Sequence, residues 1–359
     1  MLFITIFTLL LNTLYSHDCV TTKPSHHFYS QNVPLFWKIG KSSHFKVNKL
    51  SKIVFQNLPI CITRNTNNEL IATSDICPHR GASLSSGTVL KNGCIQCPYH
   101  GWEYDKGILS NIPGVPYTNN KFGVPRFNVT EKNDDVYLLP SFDMNSNFGN
   151  QSVSEIFIPP EANNKSYRRI FGTRIIDKPY KLITENILDM MHISFVHSFG
   201  NRISPIPFQI KYDDINEYSG KTTFHYTSGP NSISYMIAQA KFVKVENEFY
   251  LPSTTVTRVY ANDMVKTIVT NCYPIDNNKS VLFYDLYRNF LTYNGLDGIL
   301  NHQMKITLDE DVDILNKVYD SHMNGYINTK YDITQVKYRH KLQVLEEKIR
   351  NKHYYDKYL

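Results

Sequence analysis

At 359 residues, against about 100–200 for an ordinary domain, the chain has room for about two domains, and 42% hydrophobic residues suffice for real cores. Its 19% charged and 13% aromatic residues exclude a disordered chain, and no apolar run reaches the roughly 18 residues that a multi-span membrane protein needs. The net charge of +6 invites a nucleic-acid reading, but no nucleic-acid motif accompanies it and much of the surplus sits in the last 23 residues.

In chain order, residues 2–11 are apolar apart from two Thr, and the chain turns polar from Ser16 onward. No Lys or Arg precedes this stretch and its cleavage pattern is poor, so a membrane-associating leader, a signal sequence and a start-site extension all stand open. Residues 53–55, 60–63 and 71–73 are short apolar or β-branched runs separated by Asn-rich turns, and 136–139 read as a closing strand. They predict a small all-β domain over about residues 34–145, after a leader and linker at 1–33.

Six cysteines are too few and too scattered for a disulfide framework in a chain this long. Cys19, Cys61, Cys94 and Cys272 have no ligand-like surroundings. Cys77 and Cys97 differ: residues 77–84 read Cys-Pro-His-Arg-Gly-Ala-Ser-Leu, and residues 97–102 read Cys-Pro-Tyr-His-Gly-Trp. This is Cys-x-His, seventeen residues, then Cys-x-x-His. Zinc accepts two thiolates and two imidazoles, yet zinc fingers usually pair like with like. A [2Fe–2S] centre with two Cys on one iron and two His on the other needs two such mixed loops. Pro78, Pro98, Gly81 and Gly101 suit tight turns that aim backbone N–H groups at cluster sulfurs.

Both loops resemble the Rieske iron–sulfur domain. The resemblance implies a [2Fe–2S] cluster with Cys77 and Cys97 on its buried iron and His79 and His100 on its outer one. Where the respiratory form has a disulfide between the loops, Ala82 and Tyr99 stand here. With Trp102 after Gly101, the loops look like the lower-potential type that feeds oxygenases.

A second constellation follows. Residues 185–197 read Glu-Asn-Ile-Leu-Asp-Met-Met-His-Ile-Ser-Phe-Val-His. Helical spacing predicts Asn186, Asp189 and His192 on one face, with a helix end or bend returning the His197 ring toward His192. Two imidazoles plus a carboxylate form the facial triad of non-haem Fe(II) oxygenases, although His-x4-His is a weak signal alone. Downstream of the first site, Asn-x2-Asp-x2-His-x4-His resembles the Rieske non-haem iron oxygenases. That resemblance implies that His192 and His197 hold a mononuclear Fe(II) and that Asp189 relays electrons from a neighbouring subunit's outer Rieske histidine, here His100. Asn186 takes a supporting place near the iron. The third ligand would be an acid in residues 308–315, Leu-Asp-Glu-Asp-Val-Asp-Ile-Leu, where the family pattern aligns Asp311 and leaves Asp309 and Asp313 as rivals. Any of these acids is otherwise an N-terminal helix charge.

Runs at 221–226, 232–237, 254–259 and 280–287 are rich in β-branched and aromatic residues. They predict an antiparallel sheet flanked by helices, forming the floor of a pocket over the iron. The expected fold class is thus α+β: an all-β Rieske domain, then an α+β catalytic domain over about 146–336. Residues 337–359 carry seven basic and three acidic side chains, net +4, with helix-spaced Leu342, Leu345 and Ile349. They read as a basic amphipathic helix, either a solvated face or a dock for an acidic redox partner.

Together these likenesses imply an oxygenase component that passes electrons from a [2Fe–2S] centre to Fe(II) and uses O2 to hydroxylate, demethylate or desaturate a hydrophobic or aromatic substrate. No Gly-rich dinucleotide loop or plant-type ferredoxin cysteine pattern is present, which implies a separate reductase or ferredoxin as electron donor. A homotrimer is the implied assembly. Gly87-Thr88-Val89 and residues 95–104 look like the chlorophyllide a and pheophorbide a oxygenase branch, and also like vanillate demethylase and related single-subunit enzymes. Substrate classes therefore stand as a tetrapyrrole, an aromatic acid or ether, or a sterol-like lipid. The alternative is a Rieske electron carrier without oxygenase activity, which would need neither the 186–197 motif nor the long remainder.

Overall fold

The computed structural model describes residues 36–116, 122–142, 156–319, 325 and 327–356; the apolar leader at 2–11 and Cys19 lie outside them. The N-terminal half holds β1 (Trp37–Lys41), β2 (Leu50–Phe55), β3 (Leu58–Arg64) and β4 (Leu70–Ser74), then the short β5 (Thr88–Val89), β6 (Ile95–Gln96), β7 (Glu103–Asp105) and β8 (Ile108–Asn111). It closes with β9 (Arg126–Lys132) and β10 (Asp135–Phe142). Six of these form one sheet in the order β1-β10-β9-β4-β3-β2, and β5-β6-β7-β8 form a small second one. The predicted runs at 53–55, 60–63, 71–73 and 136–139 fall within β2, β3, β4 and β10.

The second half is built on seven antiparallel strands: β11 (Arg168–Ile176), β12 (Phe208–Asn216), β13 (Ser219–Thr227), β14 (Phe242–Tyr250), β15 (Thr254–Ala261), β16 (Met264–Pro274) and β17 (Ser280–Arg288). Their order is β11-β17-β16-β15-β14-β13-β12. Around them lie α1 (Tyr180–Leu188), α2 (His192–Val196), α3 (Ile233–Met236), α4 (Asp297–Leu315) and α5 (Ile333–Asp356). The fold is the expected α+β arrangement. Among the described residues no helix is long and apolar enough to cross a membrane.

One predicted strand is corrected. Residues 232–237 form the turn of helix α3, because the Ser232 hydroxyl oxygen accepts the Tyr235 backbone N–H at 3.1 Å and starts a helix instead. Tyr235, Met236 and Ile237 are exposed there, so their β-branched and aromatic character has no sheet to pack on.

The two sheets share a core. Buried side chains run without a gap from Trp37, Phe55 and Ile60 through Tyr180, Tyr273 and Phe283 to Met304, Leu308 and Tyr338. Trp37 sits edge-on to Phe55 at 5.3 Å and to Tyr180 at 5.1 Å. Beside it lies a buried charge cluster. Lys38 Nζ is 2.6 Å from Asp285 and 2.9 Å from Asp135, Lys41 Nζ is 2.6 Å from Asp135, and Arg169 reaches Asp285 at 2.8 Å. Burial raises the Asp285 carboxyl, but Lys38, Arg169 and Lys41 outweigh it and hold the group below the usual carboxylate range. Because β1 and β10 supply Lys38, Lys41 and Asp135 while β11 and β17 supply Arg169 and Asp285, the cluster ties one sheet to the other. Asp285→Ala would leave three cations facing one carboxylate, and a loss of about 3–5 kcal/mol is expected. The denaturant midpoint reads this directly; a shift worth less than about 1 kcal/mol would show that the cluster is surface-like.

Helix α5 is basic, and four of its cations make contacts within the molecule. Arg339 pairs with Glu185 on α1 at 2.5 Å, Lys341 with Asp214 at 3.0 Å, and Lys348 with Glu217. Lys337 lies over the Tyr212 ring at 5.5 Å. These contacts dock the helix on the β12–β13 hairpin and on α1.

Candidate metal centres and substrate pocket

The two Cys-His loops are one turn built twice. Cys77 N–H donates to Ala82 O at 2.9 Å and Gly81 N–H to Cys77 O at 2.8 Å. In the second loop Cys97 N–H donates to Trp102 O at 2.8 Å and Gly101 N–H to Cys97 O at 3.1 Å. Gly81 and Gly101 close these turns at φ of +72° and +71°, a left-handed conformation that costs other residues strain. The turns carry Cys77 and Cys97 inward, both almost fully buried, and leave His79 half-buried and His100 exposed. The two imidazole centroids are 4.5 Å apart; His79 stacks on Trp102 at 4.5 Å and 6°, and Tyr99 stacks on His100 at 3.8 Å. Burial pushes the Cys97 thiol up, with the Cys77 thiol beside it adding to the effect.

Thiols inside, imidazoles outside, and a buried His79 Nδ1 with no hydrogen-bond partner fit a cluster held by two Cys and two His. Two supporting groups had no sequence signal of their own. Tyr104 Oη lies 3.2 Å from Cys77 Sγ. Buried Asp75 accepts the Ser85 N–H at 2.6 Å and the Ser83 hydroxyl at 2.8 Å, fixing the segment after the first loop.

The other constellation is assembled by a broken helix. α1 stops at Leu188, and Asp189 turns to ψ 127° with its Oδ1 accepting the N–H groups of Met191 at 2.7 Å and His192 at 3.2 Å. The continuous helical face expected for Asn186, Asp189 and His192 is therefore corrected: a carboxylate takes over the backbone bonds and begins α2 at His192. His192 Nδ1 donates to Asp189 O at 2.9 Å, and His197 Nδ1 donates to Glu310 Oε2 at 3.0 Å. Those partners assign the tautomers and leave each Nε2 with a bare lone pair. The two Nε2 atoms are 3.2 Å apart, and Asp311 Oδ1 lies 3.5 Å from one and 3.7 Å from the other.

Asp311 Oδ1 is buried and has no hydrogen-bond partner, as is Asn186 Oδ1. Two facing lone pairs and an orphaned carboxylate oxygen repel one another unless a cation or a proton relieves them, and the residues present fit a metal ion. Burial lowers His192; burial, then the His192 charge, pushes His197 down to about 4. Neutral imidazoles are what metal ligation requires. Burial, then Glu310, pushes Asp311 up to about 7. Asp309 is exposed and pairs with Arg174 at 2.5 Å, and Asp313 is exposed as well. Among the described residues, His192, His197 and Asp311 form the one such ligand group of three. Glu310, unremarked in the sequence, braces His197 and also accepts the Ser198 N–H at 3.1 Å.

Next to this triad is a pocket. Phe199 stacks on His197 at 4.9 Å and 15°, and its ring lines a cavity of about 870 Å³ including the open mouth. Strands β13, β15, β16 and β17 form its floor, and α3 and α4 its walls. Tyr226, Ile268, Leu286, Phe290 and Met304 make it largely apolar. Thr307, also in the wall, stands one turn before Asp311 on α4, so one helix face serves both pocket and triad.

Comparison with known proteins agrees with this layout. Residues 36–128 match the Rieske [2Fe-2S] domain, and residues 176–348 match the vanillate O-demethylase oxygenase C-terminal domain. The oxygenase component of dicamba O-demethylase from Stenotrophomonas maltophilia is 32% identical over 144 residues, 39% of this chain and 40% of that protein. Chlorophyllide a oxygenase from the chloroplast of Chlamydomonas reinhardtii is 30% identical over 166 residues, 45% of this chain and 24% of that protein. The matched segments thus span less than half the length of these relatives. The crystal structure of dicamba monooxygenase bound to dicamba superposes with a TM-score of 0.70 at 19% identity, covering 87% of this chain and 96% of the other, a likeness of fold. With a Rieske domain in its first half and an oxygenase catalytic domain in its second, the chain belongs to the Rieske non-haem iron oxygenases.

Proposed function

We propose that the chain is the oxygenase component of an O2-dependent oxidoreductase that hydroxylates, demethylates or desaturates a hydrophobic or aromatic compound. The observation that carries this reading is the convergence of His192 Nε2, His197 Nε2 and the orphaned Asp311 oxygen beside a pocket lined by Phe199. A pure electron carrier has no use for that triad.

When bound, a [2Fe–2S] cluster supplies electrons singly and a mononuclear Fe(II) supplies dioxygen activation. Cys77, Cys97, His79 and His100 would hold the former, and His192, His197 and Asp311 the latter. Cys77 and Cys97 keep their donor atoms away from water, and Tyr104 offers a hydrogen bond to one of them, a lever on reduction potential. His100 is exposed and presents an imidazole edge to an incoming partner. Asp189 caps α2 with Oδ1, while its Oδ2 makes no hydrogen bond among the described residues. That free oxygen suits a bridge to a neighbouring subunit's His100, which is why a homotrimer is the proposed assembly. A reductase or ferredoxin is the proposed donor. Glu310 and the Asp189 carbonyl hold both iron-binding rings in the correct tautomer. The apolar pocket walls exclude water from the reacting face.

Metal and sulfide analysis of the purified chain tests the assignment, with about three irons and two acid-labile sulfides per chain expected. Oxygen consumption with a surrogate reductase, stimulated by an aromatic acid or ether, a sterol or a tetrapyrrole, tests the activity. A zinc-loaded chain with an empty second site would end the oxygenase reading.

A further inference from the structure

Two cationic side chains point at the pocket from adjacent strands. Lys266 on β16 and Arg288 on β17 are directly opposite each other in the sheet register, and both line the cavity. Like charges at opposed positions repel, and in a largely apolar setting nothing screens them well. Arg288 is almost fully buried and partly compensated: its Nη2 reaches Asp297 at 2.5 Å and its Nε donates to Leu291 O at 3.2 Å. Its Nη1 is buried with no hydrogen-bond partner. Lys266 has no acidic partner among the described residues; its ammonium lies 5.8 Å from the centre of the Phe199 ring, and burial lowers its pKa. A buried guanidinium nitrogen and an ammonium on the adjacent strand, neither with an acceptor among the described residues, suit an anionic group.

We infer that Lys266 and Arg288 bind the carboxylate of an aromatic acid, which fixes the substrate class of the pocket. This rests on the oxygenase reading for the statement that the bound acid is a substrate, but not for the statement that it binds. The geometry favours an acid with one flat ring. The Phe199 ring neighbours both Lys266 and His197, so a ligand anchored on Lys266 would sit near the ring that stacks on a proposed iron-binding histidine. Tyr226 and Phe290 supply further aromatic walls. A guanidinium offers two N–H groups in a fork that matches a carboxylate, and here the Nη1 side of the fork is free. A sterol-like lipid or an uncharged ether would leave both donors unmet.

The test is calorimetric titration of the metal-loaded full chain, without reductase and without oxygen. The probes are benzoate, 4-methoxybenzoate and 2-naphthoate, each against its isosteric carboxamide. Carboxylates should bind about tenfold or more tightly than their carboxamides, the worth of one charge-assisted hydrogen bond. Lys266→Met should weaken that preference, leaving only the Arg288 contribution, and Lys266→Arg should retain it. Equal affinity for acid and amide, no binding of any carboxylate, or a preference undiminished by Lys266→Met would each overturn the site. The wild-type comparison alone decides the matter if Lys266→Met does not fold. Carboxylate binding without oxygen uptake once a reductase is added would keep the anion site and remove the oxygenase reading; oxygen uptake with uncharged compounds alone would do the reverse.

Discussion

Asp189→Asn is expected to keep about three irons per chain and to lower substrate-dependent oxygen consumption by about 100-fold or more. The amide retains an acceptor oxygen where Oδ1 now takes the Met191 and His192 N–H groups, so α2 and the His192 ring stay in place. What it loses is the charge and the second acceptor that would receive a neighbouring subunit's His100. Asp189→Ala removes the cap as well and should cost about 1 kcal/mol of stability, which the amide variant should not. Dithionite-reduced Asp189→Asn, exposed to oxygen and substrate, should therefore be slow to recover its visible cluster absorption. Full-speed turnover by the folded amide variant would remove the bridging role.

Asp311→Asn should lower the iron content from about three to about two per chain while leaving the cluster absorption unchanged. Its effect on the chain after chelation of the mononuclear site runs the opposite way from that of an ordinary structural carboxylate. Burial, then Glu310, raises the Asp311 carboxyl from 3.8 to about 7. In that metal-free chain the folded state keeps a proton that the unfolded state has released. The stabilisation is complete below the unfolded value near 4 and is lost as pH rises to about 7. The difference corresponds to at most about 4 kcal/mol. Asn carries no such penalty, so metal-free Asp311→Asn should melt higher than the metal-free parent at pH 8 and match it near pH 4. A variant that retains all its iron, or melts lower at pH 8, would show that Asp311 serves the fold rather than the metal.

How much of this was legible before the fold was known depends on how far apart the participants lie in the chain. The Cys77–His79 and Cys97–His100 pairs are each local, so spacing alone exposed them. His192 and His197 are local too, but the break at Asp189 was hidden, since helical spacing treats a cap and a continuation alike. For the acid at the end of the triad the family pattern favours Asp311 and leaves Asp309 and Asp313 as rivals; what separates buried Asp311 from exposed Asp309 and Asp313 is what α4 packs against, which the sequence does not carry. Glu310 could be suspected only once Asp311 is placed, as its neighbour on the same turn. Lys266 and Arg288 are 22 residues apart on different strands, and register rather than sequence makes them a pair. Composition shows the terminal helix as amphipathic with a basic face, solvated or docking an acidic partner; that Glu185, Glu217 and Asp214 pair with it is hidden because all three are distant in sequence.

The charge cluster joining the two sheets bears on how such chains can be recombined. Lys38, Lys41 and Asp135 arrive with the first half, two cations to one anion, and the Arg169–Asp285 pair with the second, so the first half depends on the second for its charge balance and the second for most of its contacts. A chimera that grafts a different electron-carrying module onto this catalytic sheet, without acid and lysines in register, would bury Asp285 and Arg169 with half their partners missing. Such grafts should express poorly even when every metal ligand is present, and transplanting positions 38, 41 and 135 along with Trp37 should rescue them.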